Sequence, residues 1–545
     1  MIALLLALSL TAPKADLRSI AEKIEVDLEA WDVPGAAKGV DELVQAYPDS
    51  PESAYFRGRV LFEQGKYDEA AKAFRVASER GVTPGTYDAL LRRGTSQVEN
   101  DARLARAAAE ETASDETFES EHFVLKTRPG KDTLLAPYAL AALEKAYAGL
   151  TKDLGVVPPG KVRVEIYDSA RSLAHVSPLT VEQIKASGTI ALCKYSRLMI
   201  TSPKALLRGY AWLDTVSHEF VHYLVTQKGR NTVPIWLQEG LAKFLETRWR
   251  GTPGLAVDDV SLQLLQDAAR KNKLIPFSRM HPSIAMLPTQ EQAALAFAEV
   301  EAAIRLLYQR GGQAALTELV SSMASGFSDQ QAVAQAYGKS FKEFEADWRA
   351  EVMKSRAKAT SQKNVRPMVA RKLVFREDAR GRTEPPALQT AAPHGSQLEP
   401  DDTETKRAIR LGEIFYGRGR WAAAVHEYGR ARARLPRDIP LVSRRYAFAQ
   451  AKLGHYFEAE AALAKAVELD PEDEALQVLY GGVLKELKKF DKAKIALENG
   501  IAIDPFDPDL HIIYVEVARG LEDKALEERE KKAYALSTGA GVKDR

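Results

Sequence analysis

The chain holds a single cysteine in 545 residues, so it forms no internal disulfide and its fold must be held by packing. That residue, Cys193, ends the apolar stretch Thr189-Ile-Ala-Leu-Cys and reads as a small buried strand residue rather than a catalytic thiol. An excess of either charge is also missing. The 76 Lys and Arg nearly balance the 75 Asp and Glu, which argues against a nucleic-acid partner or a basic membrane-surface patch. Beyond the first dozen residues no apolar run approaches the roughly 20 residues that a membrane span requires. Met1 to Ala12 is apolar but too short for that purpose, and it lacks the usual Lys or Arg in front. Residues 1–15 read as a signal peptide, cut after Ala12 or Ala15, which predicts an exported protein, periplasmic or extracellular. The remaining composition, 45% hydrophobic and 28% charged, is that of a globular protein, and the length calls for about two to four domains.

Histidine is scarce, nine in all, yet two fall in His218-Glu219-Phe220-Val221-His222. With so few histidines, an accidental H-E-x-x-H is on the order of a one-in-a-hundred event. On a helix, positions i and i+4 share a face, so both imidazoles can reach one metal ion while Glu219 lies beside the first. Seventeen residues after His222 comes Glu239, in a second helix-like segment, Pro234-Ile-Trp-Leu-Gln-Glu-Gly-Leu-Ala. Two His from one helix and one Glu from the next make a three-ligand set with zinc's fourth position open.

His218-Glu-x-x-His222 followed by Pro234-x-Trp-Leu-x-Glu239-Gly-Leu-Ala resembles the gluzincin zinc peptidases, in particular their peptidase MA-like branch. The similarity is clearest over about residues 118–350. The resemblance implies Zn2+ bound by His218, His222 and Glu239, with Glu219 as general base. Relatives often carry an oxyanion-stabilising Tyr in the helix where this chain has Phe297, so that role is left without a residue. Neutral His ligands need an acceptor on their second ring nitrogen. Asp214, four residues before His218, and Glu246, seven after Glu239, are the two candidates.

Around this centre the chain divides. Residues 17–112 read as helices, with Gly58, Gly65, Tyr67, Ala70, Phe74 and Ala77 spaced as in a tetratricopeptide repeat. Strand patterns appear at 118–127, Val162–Tyr167, Thr189–Cys193 and Leu198–Thr201, and helical periodicity returns over 255–350. Ala293–Arg310 is expected to face the metal from below, and its Glu299 reads equally as a site residue or as a capping or solvated carboxylate. His281, in Met280-His-Pro-Ser, reads as a loop residue rather than a ligand, and His122 and His175 have no partner at ligand spacing. Residues 354–404 are polar, Pro-containing and poor in large apolar side chains, so they read as a largely disordered linker. From 405 to 536 the repeats are explicit: Trp421, Tyr456 and Phe490, then Ala424, Ala459 and Ala493, then Pro436, Pro471 and Pro505. These recur at 34–35 residues and resemble a tetratricopeptide array.

The expected fold class is therefore α+β: a thermolysin- or gluzincin-like domain, a small sheet plus the H-E-x-x-H helix, between all-α repeat solenoids. The expected function is zinc-dependent peptide-bond hydrolysis, with the repeats binding protein partners or substrates. The alternative is a weak or inactive peptidase-like adaptor of the cell envelope.

Overall fold

The computed structural model describes residues 16–80, 95–251, 259–280, 283–354, 373–376, 402–435 and 438–539. The segment read as a signal peptide, His281 and most of 354–404 lie outside the described residues. Residues 373–376 of the latter stretch are tied to the central domain: Phe375 bridges Leu206, and Leu207 N–H donates to the Val374 carbonyl.

The N-terminal helices are α1 (Leu17–Glu29), α2 (Val33–Ala46), α3 (Pro51–Glu63), α4 (Tyr67–Glu79) and α5 (Thr95–Thr112). Their starts are written locally: the Asp32 and Ser50 side chains accept the amides of Gly35 and Ser53, and Pro51 opens α3. Ala70, Phe74 and Ala77 form the buried stripe of α4, at the i, i+4, i+7 spacing of an amphipathic helix.

A five-stranded sheet follows, made of β1 (Glu116–Glu119), β2 (Phe123–Thr127), β3 (Val162–Tyr167), β4 (Ala191–Lys194) and β5 (Arg197–Thr201). Its order is β1-β2-β3-β5-β4, parallel in the middle and antiparallel at both edges. Helix α6 (Leu135–Leu154) joins β2 to β3, while α7 (Ala170–His175) and α8 (Val181–Ser187) lie between β3 and β4. Four of the five strands fall where period-two patterning places them. β1 is a short separate edge strand because Glu121 and His122 break the run.

Next come α9 (Trp212–Gly229), which carries the H-E-x-x-H segment, and α10 (Ile235–Leu245) with Glu239. Helix α9 is buried on nearly every side, with Val216, Phe220, Val221 and Leu224 wholly enclosed. Such a helix is a core element rather than an amphipathic surface one. The domain is completed by α11 (Asp259–Arg270), α12 (Gln290–Ala324), α13 (Asp329–Tyr337) and α14 (Phe341–Lys354).

The C-terminal array pairs α15 (Thr403–Gly417) with α16 (Trp421–Arg434), α17 (Pro440–Lys452) with α18 (Tyr456–Leu469), α19 (Glu474–Glu486) with α20 (Phe490–Ile501) and α21 (Pro508–Gly520) with α22 (Lys524–Thr538). Its halves differ in what they pack against. Helices α15 to α18 bury small cores of their own around Ala424, Tyr428, Ala459 and Leu463. Leu497, Leu510, Tyr514 and Val517 of the last two hairpins belong instead to the one continuous core that runs back through the sheet to Ile20.

Candidate metal centre

Helix α9 turns its two histidines into the cleft against α10. His218 and His222 present their Nε2 atoms to each other at 3.1 Å, and each lies 3.3 Å from Glu239 Oε2. The three donor atoms fall within 4.8 Å of one another, and the three side chains keep 12–16% of their surface exposed. Two imidazole nitrogens and a carboxylate oxygen in this arrangement have room for a shared cation and no apolar function. The donor set, two nitrogens and one oxygen with an open side, fits a tetrahedral divalent ion. Gly240 allows Glu239 to be there: α10 lies so close to α12 that a Cβ on Gly240 would stand 2.6 Å from Ile304 and 2.9 Å from the Val300 carbonyl.

Of the two residues considered as partners for the second ring nitrogen, the structure brings Glu246 to His218 and takes Asp214 elsewhere. Glu246 Oε2 lies 3.1 Å from His218 Nδ1. Because a carboxylate accepts, Nδ1 is the nitrogen that donates to Glu246, which leaves Nε2 as the one facing the cleft and Glu239. Asp214 shares the helical face in spacing, but its carboxylate accepts the Trp249 indole N–H at 2.7 Å and the Arg250 guanidinium at 3.1 Å. Expecting it beside an imidazole is thereby corrected: two strong donors from the turn after α10 compete for it and win.

The electrostatics follow from three carboxylates around two imidazoles. Burial opposes a charge on His218, but its hydrogen bonds to the Glu239 and Glu246 carboxylates outweigh it and raise its pKa to about 10. Burial likewise opposes ionisation of Glu239, and His222 and His218 more than reverse this, holding it well below the usual carboxylate range. Glu219, 6% exposed, is raised by burial despite both imidazoles.

Glu219 also accepts the main-chain N–H of Cys193 on β4. Register explains why that amide is free. Tyr195 and Ser196, both left-handed at φ 57° and 50°, make a two-residue turn closed by the pair Lys194–Arg197. Hydrogen-bonded and non-bonded pairs alternate, so Cys193 and Ala191 aim their amides and carbonyls off the sheet edge, towards the cleft. The thiol of Cys193 is pushed up by burial and by Glu219, as befits a packing residue.

Sequence reasoning missed Lys243, which donates to Glu246 Oε1 at 2.5 Å. Its signal was available, since Lys243 is one helical turn beyond Glu239 on the same face. Phe297 is on α12 with its ring centroid 6.4 Å from that of His218, so an apolar edge lines this wall. Glu299 turns from the metal cleft into the core: it is wholly buried, and its Oε1 accepts the Ile275 N–H at 2.9 Å. His122 and His175 pair with Glu144 and Glu111, away from the centre.

A small mixed sheet, a buried H-E-x-x-H helix and a following Glu helix, set between helical repeats, define a peptidase-type fold with repeat arms. Residues 142–354 match the Peptidase MA superfamily, and residues 26–81 and 450–514 match tetratricopeptide repeats. The chain thus carries a Peptidase MA superfamily domain flanked by tetratricopeptide repeats. No curated protein matches it. Solved structures similar to it include yeast LTA4 hydrolase in complex with bestatin, at 11% identity over 78% of this chain and 66% of that one, TM-score 0.31. Another is the TPR2B domain of yeast Sti1 in a pHsp70 complex, at 20% identity over 25% of this chain and 98% of that one, TM-score 0.18. Among the described residues no helix is long and apolar enough to cross a membrane.

Proposed function

We propose that the protein is a zinc-dependent peptidase of gluzincin type, with His218, His222 and Glu239 as the metal ligands and Glu219 as general base. The convergence of three donor atoms within 4.8 Å, with Glu219 beside them, carries this reading. Zinc held there supplies Lewis acidity for the scissile carbonyl and eases deprotonation of the attacking water. Glu219 accepts that proton and passes it to the leaving amine, a role suited to a carboxylate whose affinity for protons is raised by burial. Glu246 holds the His218 ring with Nε2 towards the cleft, where a bound metal ion would take the place of the Nε2 proton. The outward amide and carbonyl of Ala191 and the carbonyl of Cys193 can pair with an extended peptide laid along β4, as strand addition at a free edge does. The repeats are read as binding protein partners or substrates, and residues 1–15 as directing export.

The experiment is metal analysis and peptide-library cleavage on the wild type and Glu219→Gln. The variant keeps zinc and loses turnover by about 10²- to 10⁴-fold. Cleavage that survives the substitution refutes the mechanism. One observation favours the second reading, an adaptor that binds without cutting: the apolar Phe297 edge on the wall by His218, where an oxyanion donor is expected. Zinc bound with no peptide cleaved supports it.

A further inference from the structure

Helix α9 begins without a side-chain cap, at Ala211, yet its start is deeply buried, with Trp212 fully enclosed. The amides there need acceptors from elsewhere. The C-terminal array provides them. Trp212 N–H, shared with the Tyr210 carbonyl, reaches the Ala502 carbonyl at 3.0 Å, its indole N–H reaches the Ile501 carbonyl at 2.8 Å, and Tyr210 N–H reaches the Ile503 carbonyl at 3.1 Å. These carbonyls stand at the C-terminus of α20, where a helix has no acceptors' partners of its own. The preceding carbonyls, of Glu498 and Gly500, are taken by amides of the array itself. Two helix ends thus satisfy each other, the negative end of α20 set against the positive start of α9.

The contact is too close to be incidental. Gly209 sits at φ 61°, and a Cβ there would stand 2.4 Å from the Ile503 carbonyl. Arg250 adds a second link, since it donates to Asn499 of α20 at 3.1 Å and also to Asp214 in the first turn of α9. A third is electrostatic. Glu472 of the array acts on Lys243, the residue that grips Glu246 behind His218.

We propose that seating of the C-terminal array on Gly209–Trp212 and metal loading at His218, His222 and Glu239 are coupled, with Trp212 as a positioning residue for the metal helix. This rests on the reading of those three side chains as ligands. The array fixes the height and rotation of α9, and linkage requires the converse: metal binding tightens the array.

The test uses full-length protein. Hydrogen exchange at the Tyr210 and Trp212 amides reports seating, first without metal, and chelator competition gives the zinc affinity. Gly209→Val is expected to unprotect both amides in the metal-free protein and to weaken zinc binding by about tenfold or more. Trp212→Phe removes the indole N–H and part of the ring volume while leaving Gly209 untouched, and serves where the valine variant does not fold. It is expected to show a smaller change of both readouts in the same direction. In the wild type, zinc is expected to slow exchange at both amides. Loss of protection with zinc affinity within about twofold of wild type overturns the coupling. So does unchanged exchange on zinc binding. A wild type that takes up no zinc overturns the ligand assignment instead, a result plainly distinct from an unseated array that still binds it.

Discussion

Glu246 stands between His218 and Lys243: one oxygen lies 3.1 Å from the imidazole Nδ1 and the other 2.5 Å from the ammonium. The carboxylate is thereby fixed at both ends, which fixes the tilt of His218 in turn. Glu246→Gln places an amide where an ionised acceptor stood. Its expected effect is about 10- to 100-fold weaker zinc binding, read by competition with a chelating dye. Asp214→Asn, whose carboxylate is spent on Trp249 and Arg250, is expected to leave metal affinity within a few fold in the same assay. Equal losses in the two variants would return Asp214 to the imidazoles.

That contrast shows what is legible in the sequence. Ligand spacing is a local property: i and i+4 within α9, and Glu239 with Lys243 and Glu246 on successive turns, follow from helix geometry alone. Repeat positions and strand periods are equally local. Asp214 has the right spacing too, but which partner it takes depends on a turn more than thirty residues away, and spacing carries no record of that rivalry. The same holds for Trp212, an apolar residue in sequence and an inter-domain anchor in the fold, 289 residues from Ile501. It holds also for Glu165 and Arg197, which nothing short of the folded sheet brings together.

Those two residues make a second test. Arg197 is wholly buried and bonds Glu165 at 2.8 Å, while Tyr67 of α4 and Tyr167 also donate to the Glu165 carboxylate. The network joins the N-terminal repeats to the sheet beside β4. Burial opposes ionisation of Glu165, and Arg197 and Arg163 overcome it, lowering its pKa. Arg197→Met strips the nearer cation from a buried carboxylate and is expected to cost about 3 kcal/mol in chemical denaturation. Adding Glu165→Gln to it should recover much of the loss, because the stranded charge is what costs. A double variant no better than the single one would mean that shape, not charge, dominates here.

Glu299 predicts a pH dependence. Burial pushes its carboxyl up to about 8, with the Ile275 N–H and Arg349 pulling less strongly the other way. Its folded pKa exceeds the unfolded value, so between pH 4.5 and about 8 the folded protein holds a proton that the unfolded chain has released. Stability therefore falls as pH rises through that window and levels off above it. Glu299→Gln keeps an acceptor for Ile275 without a charge to bury. It is expected to match the wild type near pH 4 and to exceed it by on the order of 2 kcal/mol at pH 8.5. Denaturation curves at the two pH values decide, and a difference independent of pH removes Glu299 from the account.

Phe297 offers the sharpest division between the two readings of the whole protein. Its ring meets His218 at 6.4 Å between centroids and 69° between planes, so the ring lines the metal cleft rather than the far side of α12. A hydroxyl there would meet charge that develops on the carbonyl oxygen only in the transition state. Such a donor raises kcat while leaving KM nearly unchanged, because ground-state binding does not use it. Removing one oxyanion donor costs about 10²- to 10³-fold elsewhere, so adding one at unoptimised distance is expected to raise kcat by about tenfold in Phe297→Tyr, at wild-type zinc content. The Glu219→Gln background should abolish that gain, since the hydroxyl stabilises charge only where the attack can occur. A gain that persisted there would come from some other hydrolytic route. A tyrosine variant that binds zinc and cleaves no better than wild type would mean that this wall serves substrate contact, and that the missing donor is supplied from another element of the cleft.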